Sequence, residues 1–171
     1  MNLKKARGFT LIELLIVIAI IAILAIIIVI AINPARILEK TRDSQRFSDL
    51  TSLATAVNLY LADSHDFTGL VGPYSSIDAG FADDNARKKN DGTGWIPINF
   101  TLVSSGAPIA ALPLDPVNDA TYNYRFGVSV ANKTYEIDTV FESADNTSKH
   151  SSDGGNNNGR YEVGTDLTVL P

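Results

Sequence analysis

The side chains that could carry out chemistry are few, and the most suggestive set lies near the C-terminus. His150, Ser151 and Asp153 have the residue types of a hydrolase in which a histidine activates a serine hydroxyl. Being neighbours in sequence does not give these residues the geometry of a catalytic triad, and His65 lies in a separate polar turn, ADSHDFTG. The chain has no cysteine, nucleophile elbow, phosphate-binding loop or zinc-binding spacing. We therefore predict that the protein is not an enzyme.

A further residue of chemical interest is Glu13, which stands at the edge of a long apolar segment. The 19 residues from Leu14 to Ile32 are all apolar, and Pro34 follows almost at once. At about 1.5 Å per residue, a helix of this length spans roughly 28 Å, close to the ~30 Å core of a bilayer. A carboxylate at the centre of a membrane helix costs roughly 2.5–3.5 kcal/mol, so such residues usually serve a function.

The rest of the chain is polar and acidic. The formal net charge is −5, and three of the 14 basic residues lie before the apolar segment: Lys4, Lys5 and Arg7. This balance argues against a strongly basic, nucleic-acid-binding surface. A secretory signal peptide has a shorter apolar stretch, of about 7–15 residues, and a small-residue cleavage site. A plain signal anchor is the alternative, and basic residues on both flanks leave its orientation open.

The sequence KKARG followed by FTLIELLIVIAIIAIL resembles the prepilin signature of type IV pilins and type II secretion pseudopilins. In that family a short basic leader ends in glycine, the next residue is usually phenylalanine, and a glutamate stands fifth after the cut. The resemblance implies that residues 1–8 are a leader peptide that ends at Gly8. It also implies that Phe9 becomes the N-methylated amino terminus and that Glu13 is the glutamate used in assembly.

The resemblance further implies the partners and the location of the protein. A membrane-embedded prepilin peptidase would cut between Gly8 and Phe9 on the cytoplasmic side. The mature chain would cross the inner membrane once, surrounded by lipid, with its C-terminal domain outside the cytoplasm. An inner-membrane platform driven by a cytoplasmic ATPase would then assemble it with like subunits and minor pilins into a periplasmic or cell-surface filament.

The element that positions Glu13 is a helix in two parts. Residues 9–33 are predicted to form the transmembrane and assembly helix, and residues 34–64 its amphipathic half. The amphipathic half has apolar residues at helical spacing: Leu50, Leu53, Val57 and Tyr60 or Leu61. Pro34 lacks a backbone donor and clashes with the preceding turn, so we expect the helix to break there.

Charged residues on the amphipathic half stand three residues apart. Glu39 and Arg42 form one such pair, and Asp43 and Arg46 form another. These charges are interpreted either as a solvated helix face or as contacts between neighbouring subunits of a filament.

Residues 65–171 are predicted to form a globular, pilin-like domain. It opens with an irregular connector at 67–112, which contains a short helix at 81–89. Three apolar residues are predicted to pack the connector against the domain: Trp95, Ile96 and Ile98. Apolar and polar residues then alternate on both sides of a turn at 131–133, which predicts an antiparallel hairpin.

Short strands at 160–163 and 167–170 would complete a sheet at about 120–170. The predicted fold class is therefore α+β and pilin-like, with a long N-terminal helix packed on a small antiparallel sheet. The turn ALPLDP before the hairpin also resembles the corresponding turn of major pseudopilins.

The stretch DGGNNNG near the C-terminus raises the question of a metal ion. Asp and Asn oxygens beside glycines suit Ca²⁺, and major pseudopilins bind calcium in a C-terminal loop, so the resemblance makes Asp153 and Asp166 weak candidates. The spacing does not match an EF-hand, and Asn-Gly runs are more often plain mobile loops. We favour the loop and keep calcium as the alternative.

Two functions from different classes fit the sequence. The first is a structural subunit of a type IV pilus or a type II secretion pseudopilus, and the absence of cysteine favours the pseudopilus slightly. Adhesive, motile and DNA-uptake pili share the same features. The alternative is a membrane-anchored extracytoplasmic binding protein that uses the same leader without forming a filament.

Overall fold

The computed structural model describes residues 8–171 of the chain. Helix α1 comprises Leu11–Ile32, and helix α2 comprises Pro34–Ala62. The chain divides into two compact units, and the boundary falls after Leu38, inside α2. The unit that ends there is helical, and the unit Glu39–Pro171 contains a β-sheet.

Helix α1 is apolar around its whole circumference. Every side chain from residue 11 to residue 29 is exposed, and Leu11–Val29 is long and apolar enough to cross a membrane. No glycine or proline interrupts the helix, so it continues for 22 residues. The predicted apolar helix is therefore present.

The break between the helices lies at Asn33, immediately before Pro34. Asn33 adopts the left-handed conformation, with φ 46° and ψ 80°. Proline disfavours the α conformation in the residue before it, and asparagine tolerates the left-handed one. The Asn33 carbonyl accepts the backbone N–H groups of Arg36 and Ile37 at 3.1 and 3.4 Å and so starts α2. The break separates the apolar segment from the charged one.

The core of the second unit forms between α2 and one face of the sheet. Leu50, Leu53 and Val57 are fully buried, as their spacing predicts. They belong to one hydrophobic cluster with Phe126 and Ile137 of the sheet. Burial of side chains of this size contributes roughly 1.5–3 kcal/mol each.

The sheet has four antiparallel strands, and neighbours in sequence are neighbours in space. They are β1 (Tyr74–Ser75), β2 (Arg125–Ser129), β3 (Thr134–Thr139) and β4 (Tyr161–Gly164). Strands β2 and β3 form the predicted hairpin, and β4 matches the strand predicted at 160–163. The predicted α+β fold class, with a long N-terminal helix and a small antiparallel sheet, is confirmed.

The prediction of a strand at 167–170 is wrong. Asp166 Oδ1 accepts the backbone N–H and the hydroxyl of Thr168 at 3.2 and 2.7 Å, which folds this segment into a turn. The remaining strand of the four-stranded sheet is instead β1, which lies within the predicted connector at 67–112 and pairs with β2. Two residues are too few to show an alternating pattern, so periodicity does not reveal this strand.

The connector is docked on the domain by its apolar residues. Its short helix, α3, comprises Asp84–Arg87 and lies inside the predicted range 81–89. The Trp95 Nε1–H group donates to the Pro113 carbonyl at 3.0 Å. The apolar residues predicted to dock the connector are buried: Trp95, Ile96 and Ile98.

The second charge pair of α2 is buried inside the domain. The Arg46 guanidinium is fully buried and donates to Asp115 at 2.6 and 2.8 Å and to Asp43 at 3.0 Å. Glu142 lies 2.6 Å from Arg46 and also pairs with Arg42 at 2.5 Å. A solvated face and a contact between subunits are both wrong for Asp43 and Arg46, because their partners come from distant loops of the same chain.

Candidate processing and assembly site

The residues on either side of the predicted cut precede the first helical turn. Gly8, Phe9 and Thr10 are exposed and non-helical, and the Phe9 side chain is 84% exposed. A Cβ atom added at Gly8 would meet nothing within 4 Å. Packing within the described chain therefore gives no reason for a glycine at this position.

Thr10 and Glu13 form a capping box that begins α1. The Thr10 backbone N–H and hydroxyl donate to Glu13 Oε2 at 2.9 and 2.7 Å, and the Glu13 backbone N–H donates to Thr10 Oγ1 at 3.3 Å. These bonds occupy N–H donors that have no partner within a helix. The negative charge also lies at the positive end of the helix dipole. Glu13 therefore stabilises the start of its own helix in the unprocessed chain.

The second oxygen of Glu13, Oε1, has no hydrogen-bond partner among the described residues. Oε2 accepts both bonds from Thr10, whereas Oε1 accepts none from residues 8–171. A cation from another chain can approach Oε1 without breaking the capping box. Phe9 directly precedes Thr10, so hydrolysis of the Gly8–Phe9 bond would create an amine beside the residue that already holds Glu13.

Sequence reasoning did not identify Thr10 as part of this site, although a signal for it was present. A threonine three residues before a glutamate, ahead of an apolar run, has the spacing of a capping box. The membrane cost of the Glu13 charge drew the interpretation toward distant partners and away from this neighbour.

The residues of the suggested triad have separate partners. His150 is buried, its Nε2 accepts the Phe141 backbone N–H at 3.0 Å, and its ring stacks on Phe141. Burial lowers the pKa of His150 and keeps the imidazole neutral. The Ser151 hydroxyl donates to the Ser148 carbonyl at 3.2 Å. The histidine therefore supports the fold, and its Nε2 is not directed at the serine.

The two calcium candidates each hold a turn through their own oxygens. Asp153 accepts the backbone N–H groups of Gly155 and Glu162 at 3.0 and 2.8 Å. Asp166 accepts two bonds from Thr168, as described above. Among residues 8–171, no three acidic or histidine side chains come together in a group that could hold a metal. Both carboxylates therefore already accept hydrogen bonds within their own turns, and calcium binding stays a prediction.

The N-terminal segment matches a known family motif. Residues 3–29 match the model for the prokaryotic N-terminal methylation motif, the leader signature of type IV pilins and pseudopilins. The match spans Gly8, Phe9 and Glu13, and it confirms the resemblance that the sequence indicates for this segment. No curated protein and no solved structure matches the chain.

Proposed function

We propose that the protein is a structural subunit of a type IV pilus-like or type II secretion pseudopilus filament and that it polymerises through α1. The observation that carries the proposal is the exposure of every side chain from residue 11 to residue 29. An apolar surface of this extent is unfavourable in water and must be covered by lipid or by other chains. A filament built around α1 covers it with copies of the same helix.

The proposed processing step is hydrolysis of the peptide bond between Gly8 and Phe9 by prepilin peptidase. Water adds across the bond, Gly8 gains a carboxylate, and Phe9 gains an amine. A separate methyl donor then transfers a methyl group to this amine, which loses a proton. The cut also removes three cations from the helix start: Lys4, Lys5 and Arg7. It leaves one positive amine and one carboxylate, Glu13, at the end of an otherwise apolar helix.

The proposed assembly step pairs these two charges between chains. The amine of an incoming subunit approaches the open Oε1 of Glu13 on a subunit already in the filament. Away from water such a pair attracts strongly, and a carboxylate left without its partner is unfavourable. The pairing would fix the axial position of each subunit as it leaves the bilayer. The other proposed partners are minor pilins and an inner-membrane assembly platform.

A cavity beside α2 gives little support to the alternative function, a membrane-anchored binding protein. Its volume is about 200 Å³, whereas sites for small molecules typically measure about 300–1,000 Å³. The residues that line it come from α2 and from the loop after β3: Asp43, Ser44, Phe47, Phe141, Asn146 and Lys149.

The experiment that tests the proposal is production of the full chain in cells that supply a prepilin peptidase and an inner-membrane assembly platform with its ATPase, followed by shearing and imaging of filaments. We expect filaments whose subunit begins with N-methylated Phe9. The Gly8→Val variant should keep its leader and form none, because the peptidase must accommodate residue 8. Ala6→Val adds the same side chain two residues from the cut and is the control.

Two results would contradict the proposal. A mature N-terminus other than Phe9 would overturn the processing step. Complete processing at Phe9 with the chain remaining monomeric in the membrane would overturn the filament and favour the anchored binding protein.

A further inference from the structure

The face of the sheet that points away from α2 carries buried charge. Since side chains alternate along a strand, residues between those of the core lie on this outer face. We define the outer face by six residues: Arg125, Gly127, Glu136, Asp138, Glu162 and Gly164. Glu136 and Asp138 are each 0% exposed, and Glu162 is 2% exposed. Carboxylates are rarely buried to this extent without a charged partner.

The stretches on either side of β4, residues 153–160 and 165–171, cover this face at close range, and together we call them the C-terminal segment. A Cβ atom at Gly127 would lie 2.6 Å from Leu170 Cδ2, and one at Gly155 would lie 1.9 Å from Glu162 Oε2. Leu170 itself is buried. Glycine at both positions therefore allows the segment to lie directly on the strands.

Asp138 has two cationic partners of its own. Arg160 Nε donates to Asp138 Oδ1 at 2.6 Å, and Arg125 makes a bidentate contact with the same carboxylate. Arg125 also donates to the Pro171 carbonyl at 3.2 Å. These guanidinium groups are directed to Asp138, which leaves Glu136 and Glu162 to each other.

Glu136 and Glu162 each hold the C-terminal segment with one oxygen. The Leu170 backbone N–H donates to Glu136 Oε2 at 2.8 Å, and the Asn157 backbone N–H donates to Glu162 Oε2 at 3.1 Å. The remaining Oε1 atoms are buried and accept no bond from another residue in the described chain. Glu136 and Glu162 are diagonal neighbours on β3 and β4, because Glu136 pairs with Gly164 and Glu162 pairs with Asp138, and their carboxyl groups interact. A bond between them requires a proton, since an ionised carboxylate is only an acceptor.

We propose that Glu136 and Glu162 share one proton, and that this singly charged pair is a latch, tighter at acidic pH, that holds the C-terminal segment on the outer face of the sheet. The groups that face the pair are Asp138 with its two arginine partners and Asp153, which accepts the Glu162 backbone N–H. Asp138 opposes loss of the shared proton, and the two arginines are already engaged by Asp138.

The direction of the pH dependence follows from the two states of the latch. Burial, together with the hydrogen bond to Glu162, raises the pKa of Glu136 to about 8 in the closed state. A released glutamate has an ordinary pKa of about 4.3, so opening the latch releases a proton between these two values. The opening equilibrium should therefore rise about tenfold per pH unit between about 5 and 8 and level off above about 8.

Amide hydrogen exchange on the full chain in detergent micelles tests the latch. After correction for intrinsic exchange rates, protection at Asn157 and Leu170 should fall about tenfold per pH unit from about pH 5 to about pH 8. The Ile137 amide, in the middle of the hairpin, is the internal reference and should not show this slope.

The Glu136→Gln variant tests whether the pH slope comes from the shared proton or from general electrostatic effects. Glutamine keeps a neutral hydrogen-bond donor toward Glu162, so protection at Asn157 and Leu170 should lose its pH slope. Glu162→Gln should act in the same way and serves if the first variant does not fold. Glu39→Gln removes an equal charge from α2 and should keep the slope. A flat profile in the wild type, or the wild-type slope in a folded Glu136→Gln or Glu162→Gln protein, would overturn the proposal.

Discussion

The N-terminal helix and the domain that follows it differ in how far their charged side chains are buried and in where the partners of those side chains lie. Helix α1 exposes its side chains, and its carboxylate, Glu13, is held by Thr10 three residues away. In the unit Glu39–Pro171, Arg46 and Glu136 are fully buried, and their partners come from distant parts of the chain. The first region leaves its apolar surface and one carboxylate oxygen for other molecules, whereas the second satisfies its charges internally.

The largest expected effect comes from removing a charge in the second region. Arg46→Met keeps the length of the side chain but leaves Asp43 and Asp115 without their buried cation. Breaking a buried ion pair in this way costs about 3–5 kcal/mol, so we expect a loss of that size in the free energy of unfolding. Denaturant unfolding of the full chain in micelles measures it.

Arg42→Gln is the matched control for the Arg46 variant. Arg42 is partly exposed and pairs with Glu142, a carboxylate that Arg46 also contacts. Because Arg42 is partly exposed and Glu142 keeps Arg46 as a partner, this variant should lose much less stability than Arg46→Met. Equal losses in the two variants would show that burial does not distinguish these charges, and the contrast between the regions would fail.

A smaller effect is expected from the capping box of the first region. Thr10→Val removes the hydroxyl that donates to Glu13, and loss of an N-cap side chain typically costs about 1 kcal/mol. A change of this size corresponds to about fivefold in an equilibrium, so we expect a several-fold lower yield of sheared filaments. Thr10→Ser keeps the hydroxyl and should assemble normally. A wild-type yield from Thr10→Val would show that assembly does not need the capping box.

The smallest expected effect concerns calcium. Since Asp153 and Asp166 already accept hydrogen bonds within their turns, neither millimolar calcium nor a chelator should move the melting temperature. A cation that binds only the folded state raises the melting temperature in proportion to its binding free energy. A clear rise in melting temperature with calcium would therefore show that the unit Glu39–Pro171 binds a metal ion. Its charges would then not be balanced by the chain alone.

Local patterns in the sequence predict most of the fold. The apolar run predicts α1, the helical spacing of Leu50, Leu53 and Val57 predicts the core face of α2, and alternation predicts the β2–β3 hairpin. These features depend on residues within a few positions of one another. The same holds for the candidate processing and assembly residues, Gly8, Phe9 and Glu13, which lie within one short motif.

The charged interior could not be predicted in this way. Arg46 and Asp115 are 69 residues apart, and Glu136 and Leu170 are 34 residues apart. On the alternating pattern, Glu136 and Asp138 belong to the polar side of the hairpin, and the C-terminal segment covers that side. Burial of a charge therefore depends on distant segments that hydrophobic periodicity does not pair.

The most direct test of the central claim is the filament yield of Glu13→Val. The substitution leaves the Gly8–Phe9 bond intact but removes the carboxylate that would pair with the amine of a neighbouring subunit. Ile12→Val is the control for a changed side chain in the same helical turn. We expect Glu13→Val to be processed to Phe9 like the wild type, with few or no sheared filaments, and Ile12→Val to assemble normally. A wild-type filament yield from processed Glu13→Val would contradict the account.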